Sequence, residues 1–323
     1  MKRREFIAFG GTFLLSPRAA FGQVPGRTYR IGSLHSATRN APHHVALLEE
    51  LNRAGFVQGQ NLVVDADGYG LRQEQFLAHA SGLASAKVDL ILCAGDRAIR
   101  EAQAVSAQIP ILGVTEDMVG AGLVSSLSKP GANTTGVSIL AADLDPKRQE
   151  LLLEALPTVR RIAALADTNT VAARQLDSLM AGAKSRGVEL SIYQVTRIEE
   201  IAPAIEKASS AGAAALNVLA TPLFFNNRHV IFEGVSALKL PAIYQWPEMA
   251  EEGGFIAYGP RIVDIYRKQV SRQMVQLLKG TRPADIPIEQ PSMFELVVNG
   301  KAANSLGLVV SASILNRADK VIE

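Results

Sequence analysis

Apolar and polar positions along the chain fall into a repeated pattern: a short apolar run, a stretch with helical spacing, then another apolar run. Residues 29–34 (YRIGSL) predict a strand and 42–54 a helix; 61–66 predict a second strand and 73–86 a second helix. A third strand at 88–94 (VDLILCA), a third helix at 98–107 and a fourth strand at 110–114 (PILGV) continue the series. Uninterrupted apolar runs of this length, separated by helical patterns, indicate parallel βαβ units. Right-handed crossovers then place helices on both faces of the sheet. The pattern lapses over 120–138, which hold four glycines, Pro130 and the polar run Asn133-Thr134-Thr135, and predict loop and turn.

Alternation then restarts. Helices are expected at 146–156, 171–186, 198–209 and 227–238, and strands at 161–166, 189–195, 213–220 and 242–246. Two such blocks joined near 140–143 give an α/β fold of two Rossmann-like doubly wound lobes, 23–140 and 141–260. Residues 261–323 form a C-terminal segment: a long helix from Ile262 to Gly280, an extended stretch and a final helical region. A tail of that length packs on the lobes and crosses between them. Ligands of open α/β sheets sit beyond the carboxyl ends of the strands, and a hinge between two lobes can close around one.

The first 22 residues stand apart from this pattern. Arg3 and Arg4 precede an apolar run from Phe6 to Leu15, and a small-residue stretch, Ala19-Ala20-Phe21-Gly22, follows Pro17. This is the layout of a twin-arginine export signal cleaved after Gly22, which places the mature protein, starting at Gln23, in the periplasm. This ten-residue run is too short to span a bilayer, which needs about 20 apolar residues, so no direct membrane insertion is expected. Loss of the segment removes four cationic side chains and one acidic one, taking the net charge from +2 to −1. Nothing basic is left to suit nucleic acid. The lone Cys93, in an apolar run, excludes an intramolecular disulfide and reads as a buried structural thiol.

Signatures of catalysis and of cofactor binding are missing: no P-loop, no G-x-S-x-G elbow, and a Gly68-Tyr69-Gly70 that lacks the third glycine of a dinucleotide site. His43 and His44 point about 100° apart on the first helix and are expected to be solvated rather than to share a metal ion. The remaining candidates for ligand contact lie at predicted strand ends. Ser33 and His35 end the first strand, Gly95 and Asp96 follow the third, and Thr115 and Glu116 follow the fourth. Asn169 and Thr221 each precede a helix of the second block, and for these two, as for Asp96, helix capping is the commoner role. Trp246, the only tryptophan, ends the last strand, and Tyr258 follows. Strand alternation puts Tyr244 and Trp246 on one face and Gln245 on the other, so only one set should meet the cleft.

With these segments in view, the chain resembles the ABC-transporter substrate-binding proteins of the type I periplasmic-binding-protein fold, in the branch that includes tryptophan-binding members. The resemblance spans nearly all of the mature chain. It is carried by GLVSSLSKPGANTTGVS (122–138), LPAIYQWPEMAEEGGFIAYGP (240–260), KGTRPADIPIEQPSMFELVVNGKAANSLGL (279–308) and the closing RADKVIE. It implies two lobes with three crossings and a closing hinge. It also implies a receptor that hands a small solute, expected to be an amino acid or an aromatic or aliphatic carboxylate, to an ABC permease in the inner membrane, without cofactor or catalysis; the receptor is expected to be a monomer. Of the site residues, it favours Thr221, Trp246 and Tyr258, because Ala94-Gly95-Asp96-Arg97 and Thr115-Glu116-Asp117-Met118 depart from the commoner forms. A receptor feeding a membrane signalling protein, or a periplasmic enzyme on the same scaffold, are the competing expectations.

Overall fold

A computed structural model describes residues 26–323, so the export segment read at 1–22 lies outside the described residues. The first lobe is built on strands β1 (Tyr29–Leu34), β2 (Leu62–Val64), β3 (Leu90–Ala94), β4 (Ile111–Thr115) and β5 (Thr134–Ser138). They pair in the order β2-β1-β3-β4-β5, all parallel. Helices α1 (Pro42–Arg53), α2 (Phe76–Ser85) and α3 (Asp96–Val105) supply the crossovers. Because helices cover both faces, β3 and β4 are apolar almost without alternation and nearly wholly buried. Pro42 opens α1, where its fixed φ suits the first turn and its missing N–H costs no bond.

Strand β5 corrects the loop reading of 120–138. Its polar residues act as strand residues because distant groups satisfy them. Thr134 Oγ1 accepts from Gln103 Nε2 at 2.9 Å, and Thr135 Oγ1 donates to the Ile286 carbonyl at 2.8 Å. Gly136 has φ 147°, and a Cβ there would lie 1.8 Å from the Gly113 carbonyl oxygen of β4. Only glycine lets the two strands pair at that point.

The second lobe runs α4 (Ala141–Ala155), β6 (Arg161–Asp167), α5 (Ala173–Ser185), β7 (Glu189–Val195), α6 (Ile201–Ser210), β8 (Leu216–Val218), α7 (Pro222–Asn226), α8 (Arg228–Ala237), β9 (Ala242–Tyr244), α9 (Pro247–Glu251) and β10 (Ile256–Gly259). A helical segment follows: α10 (Ile262–Asp264), a π-helical stretch (Ile265–Val270) and α11 (Ser271–Leu278). The chain ends with β11 (Glu295–Asn299), α12 (Gly300–Ser305), α13 (Ala312–Arg317) and β12 (Lys320–Ile322). The second sheet has the order β12-β11-β10-β9-β8-β6-β7, parallel except between β10 and β11. β10 and β12 were not expected as strands, and α4 starts five residues ahead of the expected Pro146. Leu140, held at φ 62° and ψ 34°, turns the chain into α4 and leaves Pro146 inside the helix.

The chain passes between the lobes three times. It leaves the first after β5, returns after β10 so that 262–278 packs on α1 and β5, and leaves again ahead of β11. On the return, Glu289 docks beside β5 through Ser138 N–H to Glu289 O and Glu289 N–H to Gly136 O, both 2.9 Å. The second lobe is braced by a buried ion pair between Asp145 and Arg148 on α4. The Asp145 carboxylate also accepts from Gln175 and from the Ala220 N–H, and Arg148 Nη1 donates to the Tyr258 carbonyl at 3.1 Å. One pair of side chains thereby ties α4 to α5, β10 and the turn ahead of α7. Cys93 is fully buried and free, and burial pushes its thiol up.

Candidate ligand site between the lobes

The carboxyl ends of β1, β3, β4 and β5 face the turns that follow β8 and β9 of the other lobe. Between them lies a cavity of about 50 Å³. The first lobe lines it with His35, Ala94, Val114, Thr115, Glu116 and Ile139, and the returning helix adds Ile262 and Tyr266. The second lobe contributes Pro222, Phe225, Asn226, Gln245 and Trp246. Two wider chambers adjoin it. One, about 280 Å³, shares His43, Phe225 and Ile262 and extends to Arg228, Glu248 and Val263. The other, about 270 Å³, shares Glu116 and extends to Asp96, Asp117, Asn169 and Arg174. The lobes meet where Gly95 faces Pro222 and where Asp117 pairs with Arg174 at 3.1 Å.

Hydrogen bonding settles the proton positions on the cleft histidines. The Thr38 carbonyl can only accept, so His44 Nδ1, 2.8 Å away, carries the proton and donates. His44 Nε2 is then a bare acceptor, and His35 Nδ1 donates to it at 3.2 Å. That leaves His35 Nε2 as an acceptor, buried and without a partner. Burial first, and the neighbouring rings second, hold His35 well below its usual range and His43 at about 2. Burial lowers His44 to about 4 against the opposing Thr38 bond, so all three rings are neutral at physiological pH. The expectation that His43 and His44 are solvated is overturned: they are 3% and 1% exposed. His43 packs on Tyr266 and reaches Phe225 across the cleft, with ring centroids 4.7 and 6.1 Å away.

Two further polar atoms at the cavity, Gln245 Oε1 and Trp246 Nε1, are buried and unpartnered. On the opposite wall the Thr115 hydroxyl touches both the Asp96 carboxylate and Glu116 Oε2, the latter at 2.8 Å. Burial, and then Asp96, push the Glu116 carboxyl up to about 8; burial also raises Asp96 and Asp167.

The sequence candidates divide. His35, Thr115 and Trp246 line the central cavity, and Asp96 and Asn169 line the adjoining acidic chamber. Gly95 faces Pro222 of the second lobe. Ser33 is fully buried, with Gly68 packed against its carbonyl. Thr221 caps α7, its Oγ1 accepting from the Phe224 N–H at 3.2 Å. Tyr258 lies on β10 outside all three chambers, against Phe294 at 6.2 Å. The expected alternation at 244–246 also fails. β9 stops at Tyr244, which packs into the core on Phe232, and the chain turns so that Gln245 and Trp246 both line the cavity.

Sequence reasoning passed over His43, Phe225 and Tyr266. His44, Leu47 and Leu51 recur at helical spacing, and that stripe could have marked α1 as inward-facing at its start. Tyr266 had no such signal, because only the return of the tail to the first lobe brings it to the cleft. Among the described residues no group of three His, Cys, Asp or Glu side chains is placed to hold a metal ion. Likewise, no helix there is long and apolar enough to cross a membrane.

A family model described as ABC transporter substrate binding protein matches residues 43–322. The sequence is 26% identical over 270 residues to a tyrosine-binding protein of Clostridioides difficile (strain R20291), covering 81% of this chain and 75% of that protein. Among solved structures, it resembles an ABC domain in complex with L-Trp from Streptococcus pneumoniae, at TM-score 0.80 and 24% identity. It also resembles a conserved domain protein of Vibrio cholerae O1 biovar El Tor, at TM-score 0.82 and 22% identity. Each likeness covers 91% of this chain and 100% of the other, and each concerns the fold.

Proposed function

This chain belongs to the family of ABC transporter substrate-binding proteins, and from that premise we propose that it is the periplasmic solute receptor of an importer. Its ligand is of the amino-acid class, enclosed between the lobes by hinge closure and passed to a membrane permease. One observation carries this reading: a cavity between the lobes at the strand ends, walled by Trp246, Phe225 and Tyr266, with buried polar atoms from both lobes left without partners. Buried polar groups are normally satisfied, so such atoms suit a ligand that bonds to both lobes at once. The tyrosine-binding relative and the L-Trp complex support an aromatic amino acid, and the export layout of residues 1–22 supports the periplasm.

Thermal denaturation of the chain from Gln23 against the common amino acids tests this. A ligand at about 100 times its Kd adds about 2.7 kcal/mol of stability, which raises Tm by about 5 °C in a protein of this size. Trp246→Ala should lower the affinity at least about tenfold, since a buried aromatic anchor is removed from the cavity wall. A folded protein whose Tm no amino acid shifts would remove the amino-acid reading.

A further inference from the structure

Resting on that receptor reading, we propose that the cleft selects a ligand with an uncharged hydroxyl on its ring, which donates to His35 Nε2 of the first lobe and accepts from Trp246 Nε1–H of the second. The two residues line one cavity from opposite lobes. Both atoms are buried and unpartnered, on side chains 0% and 4% exposed. One is an acceptor and the other a donor, and neither can change character. The Thr38 carbonyl fixes the proton on His44 Nδ1, and His44 Nε2 draws the His35 proton onto Nδ1, so His35 Nε2 stays bare. Stacking on Tyr69, with centroids 5.5 Å apart and 18° between planes, holds the His35 ring in place. The Trp246 indole can only donate, and its ring stands edge-on to Phe225 at 5.9 Å. Gln245 Oε1 is unpartnered as well, but the amide's one bond, Nε2 to the Thr221 carbonyl, is 3.5 Å long. So weak a tether lets Gln245 turn and offer either a donor or an acceptor.

A hydroxyl is the small group that answers such a pair, because it carries one proton and accepts through its oxygen. A bare ring satisfies neither atom, and an indole N–H answers only the histidine. The protein's own groups leave the place open. The Thr115 hydroxyl turns to Asp96 and Glu116, and among the described residues only His44 bonds the His35 ring. Size agrees. A cavity of about 50 Å³ is roughly a third of the ~150 Å³ that holds benzene, so it admits the hydroxyl edge of a ring. The ring itself fits the adjoining chamber of about 280 Å³, walled by Phe225, Ile262 and Val263. One ligand oxygen then joins the lobes across the cleft.

Isothermal titration calorimetry on the chain from Gln23 decides the matter with L-tyrosine and L-phenylalanine, which differ by that one hydroxyl. L-Tyrosine should bind at least about tenfold more tightly, because L-phenylalanine leaves both buried atoms unpaired. Trp246→Phe keeps an aromatic wall and deletes the N–H, so it should shrink this preference several-fold by weakening L-tyrosine more than L-phenylalanine. Circular dichroism and Tm of that variant separate a lost contact from a lost fold. A long-range proton–nitrogen NMR correlation spectrum reads the histidine directly. His35 Nε2 should carry no proton in the free protein, and its resonance should move on addition of L-tyrosine but not of L-phenylalanine. If L-phenylalanine binds as tightly as L-tyrosine, if His35 carries its proton on Nε2, or if a folded Trp246→Phe keeps the full preference, the hydroxyl inference falls and the receptor reading stands. It falls alone, too, if another amino acid binds and neither of these does. If no amino acid binds, both fall.

Discussion

The cleft histidines and Glu116 set opposite pH dependences on stability. His43 and His44 sit at about 2 and about 4 in the folded chain, against 6.5 when exposed. Their neutral forms are the stable ones, so their contribution is complete above pH 6.5 and is lost as pH falls below it. By pH 5, His44 alone should cost about 2 kcal/mol. Glu116, raised from 4.5 to about 8, works the other way: its contribution is complete below pH 4.5 and is lost as pH rises through 8. The histidine effect is therefore best read in Glu116→Gln. Its Tm should fall between pH 7 and pH 5, and a flat calorimetric profile over that range would contradict burial of the neutral rings. Position separates Tyr258 from Trp246 at this scale: Tyr258→Ala should change Tm and leave ligand affinity alone, because its ring packs on Phe294 outside the cleft.

The turn from β3 into α3 shows how one element can serve both a lobe and the cleft. Gly95 has φ 87° and ψ 158°, a conformation open essentially to glycine alone, and a Cβ there would meet Pro222 Cγ of the facing α7 at 3.0 Å. Gly95→Ala should destabilise the protein by about 1–3 kcal/mol and also weaken ligand binding, because the lobes could no longer meet at that point. Denaturant unfolding reads the first effect and calorimetry the second; lost stability with unchanged affinity would confine the role of Gly95 to its own lobe. Elements defined by apolar runs, such as β1, β3, β4, β6 and β7, were legible in the sequence within a residue or two. Those whose polar residues find distant partners, such as β5 with Gln103 and Ile286, were not. Gln245 was hidden for a related reason, since the alternation that set it aside assumed a strand that ends at Tyr244.

At the scale of the molecule, the three passages between the lobes make the cleft a joint. The exposed Asp117–Arg174 pair across it is worth only about 0–1 kcal/mol, too little to hold the lobes together. In the proposed receptor, contacts through an enclosed ligand would dominate closure, so the radius of gyration from small-angle scattering should fall when a saturating ligand is added; an unchanged value would argue against hinge closure. The order of apolar runs and helical stretches determined the α/β class and the two-lobe plan, because local periodicity reports which faces are covered. It also pointed to the strand ends as the candidate ligand region, where doubly wound sheets leave helix amides and loops free. Only the tertiary structure decided which side chains meet there. The return of 262–278 to the first lobe brings in Tyr266, the end of β9 turns Gln245 inward, and burial turns two helix histidines and Glu116 into groups with altered protonation. These are contacts between residues far apart in the chain, and local sequence carries no record of them.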